Sequence, residues 1–175
     1  MIVTLIAAIT ADGKIAQATG QSSLDWTSKE DTRFFVEKTK EIGAVVMGRK
    51  TFETIGKPLK ERRLIVMSGS HVVSPPAKGE AGGGGTVEWT TDSPADLVAR
   101  LDREGVPGLA ICGGAAIYAQ FLQAGLVDEL FLTVEPVLFG DGISLATGVG
   151  RIDMRLVEVR PMGERAVLLH YVIEN

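Results

Sequence analysis

Short apolar runs alternate along this chain with stretches whose apolar residues return every three to four positions. Ile2 to Ile9 is nearly unbroken apolar sequence, and Gly43 to Met47, Leu64 to Met67, Val87 to Thr90 and Leu109 to Cys112 are shorter runs of the same kind. Runs without polar alternation read as strands buried on both faces. Helical periodicity between them predicts helices over 28–41, 50–55, 94–103 and 115–124. Strand–helix–strand alternation of this sort predicts an α/β fold with a largely parallel sheet covered on both faces. Beyond residue 125 the pattern changes. Glu129 to Glu135, Asp153 to Arg160 and Ala166 to Glu174 read as three strands with few helices between them, so antiparallel pairing is expected at one edge of the sheet. The segment 69–85, with Ser74-Pro75-Pro76 and the run Gly82 to Gly85, reads as a surface connection and not as a boundary, because the alternation continues on both sides.

Length and charge narrow the classes. The 175 residues fit a single domain, 1–175, and 45% apolar with 23% charged residues is an ordinary globular balance. A net charge of −4 provides no dominant basic surface, which argues against nucleic acid as the main partner but permits a local basic pocket. Cys112 is the only cysteine, so no intrachain disulfide forms, and a reducing, cytoplasmic setting is expected. His71 and His170 are far apart in sequence, and no metal cluster is expected. The N-terminal apolar run ends by Ile9 and has no basic leader, so neither a signal peptide nor a membrane span is expected.

Three segments carry candidate chemistry. In Trp26-Thr27-Ser28-Lys29-Glu30-Asp31, Thr27 followed by Glu30 has capping-box spacing. Asp31 then shares a helix face with Phe34 and Phe35, three and four residues on. Two readings are open: an inward acid that handles a proton or anchors a ligand, or an N-terminal acid favoured by the helix dipole. At 42–56 a buried strand runs into Gly48 and a short helix begins beside Arg49 and Lys50. This arrangement suits phosphate, through free N–H groups and nearby cations, and equally suits a plain strand–helix turn. At 109–118 a second strand enters Gly113-Gly114 and a second helix leaves, without the full G-x-G-x-x-G pattern. Two such corners at strand ends could be bridged by one dinucleotide. Cys112, without a nearby histidine in sequence, reads as core, and Ser22-Ser23 and Ser144 lack a nucleophile context.

These segments, in this order, resemble dihydrofolate reductases. The similarity is densest from Met47-Gly48-Arg49-Lys50-Thr51-Phe52 to Gly56-Lys57-Pro58-Leu59, and it continues through Arg62-Arg63 to Ser68. Leu5-Ile6-Ala7-Ala8 is similar to the family's first strand. Trp26, Asp31 and Phe35 reproduce its spacing of tryptophan, acid and phenylalanine, and Gly113-Gly114, Tyr118 and Leu132-Thr133 fit later positions. The resemblance implies a three-layer sandwich: a mixed, mainly parallel sheet of about eight strands with helices on both faces. It implies NADPH as cofactor, held by Gly48, Arg49, Lys50, Thr51, Ser68, Gly113, Gly114, Ala115, Ile117 and Tyr118, with Ala8 and Ile15 bordering the nicotinamide. It implies a small-molecule substrate against Ile6, Ala7, Phe35, Ile55, Leu59 and Thr133, with Arg62 gripping a carboxylate tail. Asp31 and Trp26 would be catalytic, the acid promoting protonation and the indole ordering water, and the segment 10–25 could serve as a lid.

Other segments are similar to the reductase domain of riboflavin biosynthesis: Ala11-Asp12-Gly13-Lys14-Ile15-Ala16, Phe121 to Leu130, and Gly140-Asp141-Gly142. Those reductases share fold and cofactor but act on a ribosylamino-pyrimidine phosphate. Reduction of 7,8-dihydrofolate is the leading expectation, the pyrimidine reaction the alternative, and a nucleotide-binding paralogue without turnover a third reading. The apolar C-terminal strands permit a homodimer.

Overall fold

A computed structural model describes residues 1–69 and 85–174. The interior of the expected connection 69–85, His71 included, lies outside the described residues. Among the described residues there are ten strands and four α-helices: β1 Ile2–Thr10, β2 Lys14–Ala16, α1 Lys29–Ile42, β3 Ala44–Gly48, α2 Arg49–Ile55, β4 Arg63–Met67, β5 Thr86–Thr90, α3 Pro94–Arg103, β6 Gly108–Ile111, α4 Ala115–Gln123, β7 Glu129–Glu135, β8 Ile143–Ser144, β9 Met154–Met162 and β10 Ala166–Ile173. Eight strands form one sheet in the order β5-β4-β3-β6-β1-β7-β10-β9. Every pair from β5 to β7 is parallel, and β10 runs antiparallel to both β7 and β9. The antiparallel pairing expected in the last third therefore sits at one edge. The short β2–β8 pair is not legible in the sequence: three residues against two carry no detectable period.

Alternation along the buried strands separates two apolar layers. Ala44, Val46, Leu5, Ala7 and Ile111 join Leu97 and Leu101 of α3 and Ile117 and Phe121 of α4. Val45, Met47, Ile6, Ala110 and Cys112 join Phe34 and Phe35 of α1 and Phe52 of α2. Neighbouring strand residues point to opposite faces, so α3 with α4 and α1 with α2 cover opposite sides of one sheet. That is the expected three-layer sandwich.

Caps set the helix ends. Ser93 accepts a hydrogen bond from the Asp96 N–H at 3.2 Å ahead of Pro94, and α1 stops at Gly43, whose φ of 88° suits a residue without Cβ. The cap of α1 corrects the sequence reading. It is Ser28, one residue later than Thr27, with its Oγ accepting from the Asp31 N–H at 3.2 Å. Serine and threonine are both good caps at this spacing. The choice is made from outside the helix, because Glu135 on β7 takes the Ser28 N–H and Oγ–H, at 2.7 and 2.6 Å.

Candidate active site

Parallel strands bring their carboxyl ends to one rim, where open α/β sheets bind ligands. Both glycine corners lie on that rim, Gly48 at the end of β3 and Gly113-Gly114 just beyond β6. They touch. The Gly48 N–H donates to the Gly113 carbonyl at 2.8 Å. A Cβ on Gly48 would lie 3.1 Å from Cγ1 of Ile117, and one on Gly114 would lie 3.3 Å from Oγ1 of Thr51. Each corner is thus packed against the first turn of the other's helix, and added bulk would push them apart. Gly48 and Gly114 are the N-caps of α2 and α4 and neither helix has a side-chain cap, so their first N–H groups are not taken by a capping side chain. Arg49 and Lys50 are exposed beside them, Arg49 only loosely held by Glu53 at 3.8 Å. The corners meet at one point of the rim, with the positive charges of Arg49 and Lys50 beside them.

Asp31 stands at the start of α1 and is largely buried. Burial is the main cause that raises its pKa above the ordinary 3.8; the Thr133 hydroxyl opposes this, the negative charge of Glu135 adds to it, and the Thr27 hydroxyl again opposes. Thr133 is 1% exposed and Glu135 3%, on the same side of β7. Trp26 Nε1, just before the cap, is buried without a hydrogen-bond partner among the described residues. Such a group is costly to leave unmatched, about 1–3 kcal/mol. The Trp26 ring packs edge-on against Phe139 at 5.2 Å.

Tyr118 of α4 backs the second corner. Its hydroxyl donates to the Ile6 carbonyl at 2.8 Å and would lie 3.3 Å from a Cβ on Gly113. Burial pushes the phenol well above its usual pKa. It remains a neutral donor. Helix starts without capping side chains, with cations beside them, suit a phosphorylated group, and a buried acid whose pKa is raised suits proton transfer.

Of the remaining predicted residues, Ile6, Phe35, Ile55 and Leu59 share the apolar layer under α1 and α2. Ala7 does not join them. Its side chain belongs to the opposite layer, as strand alternation requires, so only its backbone could meet a substrate there. Ala8 pairs with Thr133 across β1 and β7, Ile15 packs on the α4 side, and Ala115 opens α4. Ser68, partly exposed just beyond β4, donates its N–H to the Thr90 carbonyl. Arg62 is 7% exposed, giving Nη1 to Thr39 Oγ1 at 2.7 Å and Nε to the Lys60 carbonyl at 2.9 Å, which fixes its plane. The expected lid is tied down in its first half: Asp12 accepts from the Phe139 and Gly140 N–H groups at 3.2 and 2.7 Å, and β2 pairs with β8. Residues 17–20 and 23–25 are exposed.

Sequence reasoning missed Glu135 and Ser28. Period two from Thr133 places Glu135 on the same side of β7, and that signal was available.

A three-layer α/β sheet with two abutting glycine corners and a buried acid marks an oxidoreductase of the dihydrofolate reductase-like class, a class that uses NADPH. Within it, the chain belongs to the RibD C-terminal domain family, which matches residues 1–168. It is 34% identical to the dihydrofolate reductase type 3 of Salmonella typhimurium over 143 residues, 81% of this chain and 76% of that one. A candidate riboflavin biosynthesis protein of Shewanella sp. PV-4 superposes with a TM-score of 0.83 over 100% of both chains at 21% identity. The diaminohydroxyphosphoribosylaminopyrimidine deaminase/5-amino-6-(5-phosphoribosylamino)uracil reductase of Thermotoga maritima gives a TM-score of 0.80 at 19% identity, covering 99% of this chain and 56% of that one. No helix among the described residues is long and apolar enough to cross a membrane.

Proposed function

We propose that the chain is an NADPH-dependent reductase of the riboflavin-biosynthesis type, acting on a ribosylamino-pyrimidine phosphate or a close analogue. The observation that carries this reading is the family match across 168 residues. It reverses the order expected from sequence, in which dihydrofolate came first.

The corners fit a dinucleotide phosphate. Cβ atoms are excluded where backbone must come close, the helix starts have no capping side chain, and Arg49 and Lys50 stand at the edge. Gly48, Arg49, Lys50, Thr51 and Gly113 to Ala115 would hold the phosphates, Ser68 the adenosine end, and Ile117 and Tyr118 would back the turn. When bound, the reduced nicotinamide supplies the hydride. The protein's part is to align two rings, keep water out and supply a proton. Asp31 is that proton source, since burial keeps its carboxyl protonated further up the pH scale. Trp26 Nε1 is a donor that a polar substrate atom or a water would satisfy. Ile6, Phe35, Ile55 and Leu59 supply the apolar wall.

Dihydrofolate remains a second reading, favoured by the 34% identity to a dihydrofolate reductase and by Arg62, a rigidly held guanidinium suited to a carboxylate. The test is NADPH consumption by purified protein with each substrate in parallel. Turnover of the ribosylamino-pyrimidine phosphate and not of dihydrofolate supports the proposal, and the reverse result replaces it with the second reading. NADPH binding without oxidation in either arm points to the nucleotide-binding paralogue.

A further inference from the structure

Glu135 is nearly fully buried, at 3% exposure, close to the proton-handling acid, and sequence pattern assigns it no role. Its setting is specific. It follows Thr133 on the α1 side of β7, and its Oε1 accepts both the N–H and the Oγ–H of Ser28, at 2.7 and 2.6 Å. Ser28 in turn caps α1 by accepting the Asp31 N–H at 3.2 Å. A continuous chain of hydrogen bonds therefore runs from the β7 carboxylate, through the cap, to the backbone of Asp31. A structural cap would need only the serine. A glutamine or threonine on β7 could anchor Ser28 without bringing a negative charge beside another carboxyl group.

We propose that Glu135 is a positioning residue for the proton-transfer step: through Ser28 it fixes where Asp31 stands, and through its charge it acts on the Asp31 proton. The inference rests on the reading that Asp31 supplies the proton. Groups facing Asp31 from the packed elements are Glu135 and the Thr133 hydroxyl of β7, the Thr27 hydroxyl ahead of α1, and at longer range the neutral Tyr118 phenol of α4. Of these, Glu135 alone carries charge, and like charge disfavours a second carboxylate. On α1 itself, Lys29, Glu30 and Arg33 are exposed, where water screens them.

Two variants separate position from charge. Glu135→Gln keeps an oxygen for Ser28 and removes the charge. Asp31 should then ionise at lower pH, and the limb on which kcat/KM falls with rising pH should move to lower pH. Ser28→Ala keeps the charge and breaks the chain of bonds. It should lower kcat while leaving the limb and the KM for NADPH in place, and Ser28→Thr should restore turnover. The Asp31 midpoint is read directly, without substrate, by carboxyl 13C NMR on protein labelled at aspartate, with Asp31→Asn assigning the resonance. An Asp31 midpoint unmoved in Glu135→Gln overturns the role of the charge, and undiminished kcat in Ser28→Ala overturns the role of position. Glu135→Asp, which retains charge, should keep the midpoint high and stands in if Glu135→Gln fails to fold; a midpoint that drops in Glu135→Asp is then the overturning result. If Asp31→Asn itself keeps full turnover, the parent reading of Asp31 fails, a result distinct from either of those.

Discussion

Replacing Gly113 by alanine adds one methyl group at a crowded point of the second corner. Two costs arise. The residue has φ of 104°, in the region L-residues avoid, which costs about 1–3 kcal/mol for a residue bearing Cβ. Part of that, about 0.4–1 kcal/mol, is returned because alanine has fewer unfolded conformations to lose. The new Cβ would also stand 3.3 Å from Oη of Tyr118 and 3.6 Å from its Cζ. The phenol cannot retreat freely. Its hydroxyl is held to the Ile6 carbonyl at 2.8 Å inside the core, and a hydrogen bond of that kind is worth about 0.5–1.5 kcal/mol net. The expected loss is about 2 kcal/mol, or a Tm lower by about 4–8 °C for a chain of this size.

Gly105 is the internal control. It has φ of 75°, and a methyl group added there would meet nothing within 4 Å, so Gly105→Ala should show the torsional cost alone. A double-mutant cycle isolates the contact. Tyr118→Phe removes the hydroxyl that the new methyl meets, so it should cost less in the Gly113→Ala background than in wild type. Coupling of at least about 0.5 kcal/mol by urea unfolding is expected for groups in contact. Additive effects, or equal losses for Gly105→Ala and Gly113→Ala, would refute the idea that the corner and the phenol are packed as one unit.

Asp31→Asn should cut turnover sharply at neutral pH. It should also stabilise the fold there. The carboxyl's raised pKa means the folded state binds the proton more tightly than the unfolded chain. Its contribution is full below the ordinary 3.8 and is lost as pH rises through the folded value. The Tm advantage of the asparagine variant, followed by scanning calorimetry, should therefore shrink as the pH falls toward 3.8. Thr39→Val should cost about 1.5–3 kcal/mol in urea unfolding, because Thr39 Oγ1 accepts from the buried Arg62 guanidinium at 2.7 Å and donates to the Phe35 carbonyl at 2.6 Å. Burial raises the Cys112 thiol far above its usual range, so mass spectrometry should find it unmodified by iodoacetamide in native protein at neutral pH and fully alkylated in denaturant.

The strands were legible because parallel strands with both faces covered leave apolar runs that few other structures produce. The helix spans were legible from period and caps, with ends displaced by about one residue, as cap ambiguity between Thr27 and Ser28 illustrates. The glycine corners could be placed on strand ends from sequence. Their contact could not. It depends on β6 lying beside β3, although α2, β4, β5 and α3 all intervene along the chain. Strand order of this kind is a property of the whole chain, and local pattern carries no trace of it. The same holds for Glu135: its side of β7 follows from alternation, but its pairing with Ser28 crosses 107 positions. Side-chain direction within β1 was a matter of applying the rule: Ile6 and Ala7 are neighbours, so their side chains point to opposite faces.

One physical consequence ties the fold to the chemistry. The acid lies at a helix start, where free N–H groups would ordinarily favour a carboxylate and hold its pKa down. Here the helix is capped by Ser28, which takes the Asp31 N–H, and the cap is itself held by a buried carboxylate whose charge opposes that of Asp31. Burial first, and then the charge on the strand it packs against, counter the dipole's pull on the acid. A plain N-terminal acid, the other reading open from sequence, would be exposed and unopposed. Asp31 is neither, and its burial moves its protonation midpoint upward.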